Sequence, residues 1–158
     1  MKKVLDRIWK IMMALLVFFC VLLLVLKLFG VSAIFVQGTS MEPNYKNGEL
    51  HLISKADEYK RGDVVAVRVD DMVILKRIVA IEGDIVEIYH HCIWVNDELI
   101  EPYIKEENWN DSGAYDMHLI LGPSEVFLLG DDRNQSIDSR HSEIGTIKTE
   151  QIWGRIIR

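Results

Sequence analysis

The chain has little cysteine, little basic charge outside its first thirty positions, and no repeats. Its two cysteines are Cys20, inside an apolar stretch, and Cys92, in the polar remainder, so an intrachain disulfide is implausible and stability rests on core packing. Beyond Gly30 there are 13 basic against 23 acidic residues, a net of −10 within the total of −6. A nucleic-acid partner needs a basic face to neutralise phosphates, and this balance argues against one. With no internal repeat or low-complexity tract and one shift of composition, near Gly30, the 158 residues read as one domain and one anchor.

What is present is a long apolar run, Ile11 to Leu26, resumed after Lys27 by Leu28, Phe29 and Val31. It exceeds the ~7–15 residue core of a secretory signal and is long enough to span a bilayer. Lys27 can extend its stem to the headgroups, so it does not interrupt the span. Val31-Ser32-Ala33 has the small residues of a cleavage site; a removable leader is the competing reading, and the length of the run opposes it. Lys2, Lys3, Arg7 and Lys10 precede the run, against Asp6 alone on the acidic side. That bias keeps the N-terminus in the cytoplasm. The expected division is a cytoplasmic segment 1–10, a single-pass anchor 11–31 in the cell membrane, and an extracytoplasmic domain 32–158.

Beyond the anchor, short Val- and Ile-rich runs dominate: Ala33 to Val36, Leu50 to Ile53, Val64 to Val69, Val73 to Ile81, Ile85 to Tyr89, Ile93 to Val95, Val126 to Leu129 and Ile152 to Ile157. Bounded by Gly, Asn and Asp, they predict strands. Asn96-Asp97 between two such runs predicts a tight hairpin. The fold class is therefore mainly β, an antiparallel domain of sandwich or barrel type. Residues 102–122 are polar and predict a long excursion at the domain edge.

Ser40, in Ser40-Met41-Glu42-Pro43 shortly after the anchor, is a candidate nucleophile, and a serine needs a base to take its proton. The best candidate is Lys76, in the run Met72 to Ile81, where alternation places it on a face with Ile74, Ile78 and Ala80. Apolar neighbours disfavour the ammonium form and lower its pKa, which makes a lysine a base near neutral pH. Arg77 cannot serve, because a guanidinium stays protonated. Among the five histidines only His141 rivals Lys76 as base. The run His90-His91-Cys92 is a weak metal site, since neighbouring strand residues do not converge on one ion.

A third cluster, Gly130 to Arg140, follows the run Val126 to Leu129. Asp132, Asn134, Ser136, Asp138 and Glu143 fit calcium-loop spacing, but Ile137 occupies the position that wants glycine and arginines sit beside the acids. The better account pairs Asp138 with Arg140 or Arg133, so that a hydroxyl such as Ser136 orients the lysine amine.

Together these segments resemble a type I signal peptidase, the membrane-anchored Ser-Lys protease that removes signal peptides from exported proteins. The resemblance runs through the anchor, Gly38-Thr39-Ser40-Met41-Glu42-Pro43, Arg61-Gly62-Asp63-Val64-Val65, Leu75-Lys76-Arg77-Ile78-Val79 with Gly83-Asp84, and the Gly130 to Arg140 loop. It implies a largely antiparallel β fold, Ser40 as nucleophile, Lys76 as general base, Ser136 hydrogen-bonded to the lysine, and Asp138 with Arg140 as support. It also implies signal-peptide-bearing pre-proteins as substrates, with small residues at the first and third positions before the cut, and neither cofactor nor metal. Contact with translocation machinery is a further possible partnership.

The chain departs from the family pattern in places. Asn44-Tyr45 replaces a common Thr-Leu, Glu82 stands where proline is frequent, and Asp132, Asn134 and Gln135 differ from the usual loop residues. Gly38 stands where some relatives carry a serine whose hydroxyl helps bind the oxyanion, leaving the Ser40 N–H and a second donor unidentified. Two alternatives share these features: a peptidase dedicated to one substrate such as a pilin, and a membrane-tethered binding module without turnover.

Overall fold

A computed structural model describes residues 2–28, 30–70, 72–89, 92–101 and 117–157. The chain divides into two compact units, Met1–Ser32 and Ala33–Arg158. In the first, helix α1 (Lys2–Leu28) exposes its apolar side chains all round. Its segment Lys2–Val25 is long and apolar enough to cross a membrane, with a mean hydropathy of 2.8 over an 18-residue window. A helix apolar on every side lacks the polar face that water would require.

Among the described residues beyond α1 there are eleven strands: β1 (Val31–Phe35), β2 (Leu50–Ser54), β3 (Val64–Val69), β4 (Met72–Ala80), β5 (Ile85–Tyr89), β6 (Cys92–Val95), β7 (Glu98–Glu101), β8 (Met117–Ile120), β9 (Glu125–Leu129), β10 (Ile147–Lys148) and β11 (Ile152–Ile156). Seven make one sheet, in the order β1-β2-β11-β3-β4-β9-β10, and four make another, β7-β6-β5-β8. The registered pairs are antiparallel, as the turn-bounded runs predicted. The Asn96-Asp97 hairpin joins β6 to β7 with both residues at positive φ, 50° and 63°, the backbone of a type I′ turn.

Three apolar clusters hold the sheets. Val86, Ile88, Ile93 and Val95 of the small sheet pack with Val79, Ala80, Phe127 and Leu129, so the two sheets share one core. Val65, Val67, Ile78, Leu128 and Ile152 line one side of the large sheet, with Ile74 against them. Ile34, Met41, Ile53, Val64, Ala66 and Ile156 line another, with Leu75 and Tyr45.

Two expectations change. The register between β4 and β9 shifts between Ile78 and Ala80, so Ala80 pairs with Phe127 and joins the inter-sheet core instead of the Ile74–Ile78 face. A bulge inserts one residue and reverses the alternation beyond it. The expected excursion ends earlier than 122: Met117–Ile120 is β8, paired with β5, while residues 102–116 lie outside the described residues. His90 and His91 lie outside them too.

Phe127, 1 % exposed, fills the space between the sheets. Phe127→Ala is expected to lower unfolding stability by about 3–5 kcal/mol, read by denaturant titration of the detergent-solubilised chain.

Candidate active site

Ser40 lies in the turn that follows β1, and Lys76 lies near the middle of β4. The turn closes on itself through Glu42 N–H to Thr39 C=O (2.9 Å) and Tyr45 N–H to Met41 C=O (2.9 Å), with the Met41 side chain sunk in the core as its pin. Strand β4 is fixed by its full ladder with β3, in which Lys76 faces Val65. Paired residues share a face, so Lys76 stands on the side of Val65, Ile74 and Ile78. There its amine lies 2.7 Å from Ser40 Oγ.

Lys76 is 4 % exposed. Burial is the main force lowering its pKa below the ordinary lysine value; Asp138 pulls it up, Arg140 pushes it down and Asp131 pulls it up. Those three groups are themselves engaged. Arg140 Nε and Nη2 donate to the two Asp138 oxygens at 2.7 and 2.9 Å, and the Gly130 N–H donates to Asp138 Oδ2 at 2.9 Å. Arg140 Nη2 also reaches the carbonyls of Arg133 (2.8 Å) and Ser136 (3.2 Å), tying the loop to itself. With both carboxylate oxygens so held, Asp138 has its partner in Arg140, and not in Arg133, which donates to the Gly130 and Asp131 carbonyls.

Sequence reasoning passed over a second ion pair. Arg77, next to Lys76 but on the opposite face, donates from Nε and Nη2 to Asp131 at 2.7 and 2.6 Å, and from Nη1 to the Gly62 carbonyl at 2.8 Å. Asp131 also accepts from Asn44 Nδ2 at 2.8 Å. Burial pushes the Asp131 carboxyl up, but Arg77 and then Asn44 outweigh it and hold the group below its usual range. The only trace of this pair in the sequence is an arginine on an apolar strand and an unassigned acid beyond a glycine.

Gly130 has a steric reason. A Cβ there would lie 2.2 Å from Ser136 Oγ and 2.5 Å from the Ser40 carbonyl oxygen, so only glycine lets the loop touch the Ser40 turn. Ser136 is buried, and among the described residues its Oγ has no hydrogen-bond partner, Lys76 included. His141 is engaged elsewhere, its Nδ1 accepting from the Asp138 N–H at 3.2 Å, while Lys76 occupies the position beside Ser40. Gly38 has φ +83°, a conformation that disfavours any side chain, and its N–H donates to Asn47 Oδ1 at 3.0 Å.

A groove of about 620 Å³ leads to Lys76, walled by residues 33–37 on one side and 72–76 on the other, with Ala66 and Trp153 contributing. Both walls carry strand edges without a strand partner among the described residues: β1 ends the sheet order, and β4 pairs with β9 only from Arg77 onward.

A buried amine also leaves a mark on stability. Its folded-state pKa is lowered, so between that value and the ordinary lysine value the unfolded chain binds a proton the folded chain does not, and stability rises with pH across that window. Below the window the cost is full; above it the cost is gone. Lys76→Met is therefore expected to unfold at higher temperature than the parent at pH 7, by about 1.4 kcal/mol for each pH unit of depression. The advantage should shrink as thermal melts are taken upward through the window and vanish only above the ordinary lysine value of 10.5.

The sequence matches the family described as "Signal peptidase, peptidase S26" over residues 8–158. A signal peptidase I of Bacillus licheniformis is 32 % identical over 85 % of this chain and 78 % of its own length. Signal peptidase I S of Bacillus subtilis is 31 % identical over 85 % and 79 %. The crystal structure of a signal peptidase I from Enterococcus faecalis aligns with 65 % of this chain and all of its own at 20 % identity and a TM-score of 0.49. With nearly its whole length matched, this chain belongs to the signal peptidase family, peptidase S26.

Proposed function

We propose that this chain removes signal peptides from pre-proteins by a Ser40–Lys76 dyad at the outer face of the membrane. The observation that carries the reading is the 2.7 Å contact between a serine hydroxyl and a buried lysine amine. Desolvation favours the neutral amine, which is the form able to accept a proton.

In the first step Ser40 Oγ attacks the scissile carbonyl carbon as its proton passes to Lys76 Nζ. The oxyanion that forms faces the Ser40 N–H, which makes no hydrogen bond among the described residues and is free to donate. Collapse breaks the C–N bond, and the departing amine takes the proton from Lys76, leaving an ester on Ser40. Water then attacks that ester, gives its proton to the same lysine, and the acid leaves as the proton returns to Oγ. Asp138 and Arg140 act as a fixed ion pair behind the loop and hold Gly130 against the Ser40 turn. Ser136, buried at that contact with an Oγ that has no partner among the described residues, is the hydroxyl assigned in this reading to orient Nζ.

The groove sets the substrate. An extended segment laid between residues 33–37 and 72–76 can bond to both open edges, as an added strand does, with Ala33, Ile34 and Ala66 lining the groove. The small residues before the cut that the family resemblance implies would be selected there by exclusion of larger ones. Helix α1 is the anchor in this reading, and the basic residues of its first turns, Lys2, Lys3, Arg7 and Lys10, favour an N-terminus in the cytoplasm and a catalytic unit outside. A pre-protein held by its own apolar signal then meets the enzyme in the plane of one membrane, which raises effective concentration without further contacts.

Ser40→Ala and Lys76→Met are each expected to abolish cleavage of a labelled pre-protein, with the new N-terminus of the wild-type product read by sequencing. Wild-type turnover in the lysine variant would remove Lys76 as base. The rate should climb with pH as Lys76 loses its proton, with a midpoint below the ordinary lysine value of 10.5, and a flat profile would count against the dyad. Gly130→Ala should reduce kcat about 100-fold or more, since the added carbon displaces Ser136 or the Ser40 turn.

A further inference from the structure

Ser40 and Lys76 come from elements far apart in sequence, and a reactive pair at 2.7 Å needs each element fixed against the other. Lys76 is locked by the β3 ladder. Met41 seats the Ser40 turn in the core, but residues 43 and 44 on its far side are exposed, so that pin and the turn's internal bonds leave this side to be held from outside. Two bonds cross from it to the loop after β9. The Asp132 N–H donates to the Ser40 carbonyl at 3.1 Å, and Asn44 Nδ2 donates to Asp131 Oδ2 at 2.8 Å.

The second bond ends on a carboxylate that Arg77 also grips with two N–H groups. Arg77 is the backbone neighbour of Lys76. Asp131 therefore receives one donor from the turn that carries the nucleophile and two from the strand that carries the base. We propose that Asn44 is a positioning residue for Ser40, joining the nucleophile turn through Asp131 to the strand segment that holds Lys76. An amide suits the task, because it offers a neutral donor to an acceptor-only carboxylate whose charge Arg77 already balances.

This inference rests on the reading of Ser40 as nucleophile, and it separates from that reading in its test. Full-length wild type, Asn44→Ala and Asn44→Asp are purified in detergent and assayed on one labelled pre-protein from pH 6 to 11. Asn44→Ala should lose about tenfold in kcat with KM unchanged, since the groove walls are untouched. Its pH midpoint should stay with the wild type, because Arg77 keeps Asp131 ionised. Asn44→Asp is nearly isosteric yet sets a carboxylate against a carboxylate, so it should fall below Asn44→Ala; a structural filler would rank them the other way.

Hydrogen exchange on the same samples should show residues 39–48 exchanging faster in Asn44→Ala, with β4 unchanged. Wild-type kcat in both variants, or equal losses of kcat and melting temperature, would overturn the inference while leaving the dyad standing. If the wild type cleaves nothing, the dyad reading fails, and the exchange still decides the tether: unaltered exchange of residues 39–48 would sink it.

Discussion

The protonated form of Lys76 is expensive where it sits, and most of the site's construction answers to that. An amine on a sheet face shared with Val65, Ile74 and Ile78 cannot be hydrated as a surface lysine is, so its charge must be traded against neighbouring carboxylates or given up. Asp138 and Asp131 both act electrostatically to raise its pKa, and burial outweighs them. Each carboxylate is committed to its own guanidinium, Asp138 to Arg140 and Asp131 to Arg77. Arg140 also pushes the lysine pKa down directly, on the same side of the balance as burial.

That arrangement also explains why both partners are arginines. A guanidinium stays ionised at any pH a protein meets, and its planar fork satisfies both oxygens of a carboxylate at once. The two pairs sit on different elements, one within the loop after β9 and one between that loop and β4. Together they turn an irregular segment into a rigid wall. Gly130 lies at its start, with one face against Ser136 and the Ser40 carbonyl and its N–H on Asp138, so backbone, charge and packing meet at a single residue.

How much of this was legible in the sequence depended on the range of the interaction. Local rules read well: Val- and Ile-rich runs are the strands, and Asn96-Asp97 is the turn, because alternation and positive φ are properties of neighbouring residues. Ser40 and Lys76 stood out by residue type and setting, and the structure brings them together. Ala80 was misplaced because a bulge depends on the partner strand, which a single run does not reveal. The Arg77–Asp131–Asn44 junction was missed for a related reason: its members are ordinary polar residues whose meaning arises only when three distant segments converge. Met117–Ile120 was read as part of the polar stretch 102–122 because four residues directly after Asn108 to Asp116 are too few to stand out, yet the edge of β5 gives it a ladder.

Gly38 carries a consequence for how such a site can change over generations. Its backbone sits at φ +83°, and its N–H is already committed to Asn47. A Cβ there would meet nothing within 4 Å, yet it would sit on a backbone conformation that side chains rarely adopt, at a cost of about 1–3 kcal/mol. Any substitution at 38 therefore starts from strain and not from crowding, and relief of that strain must come from the backbone of the connection that Gly38 and Asn47 share.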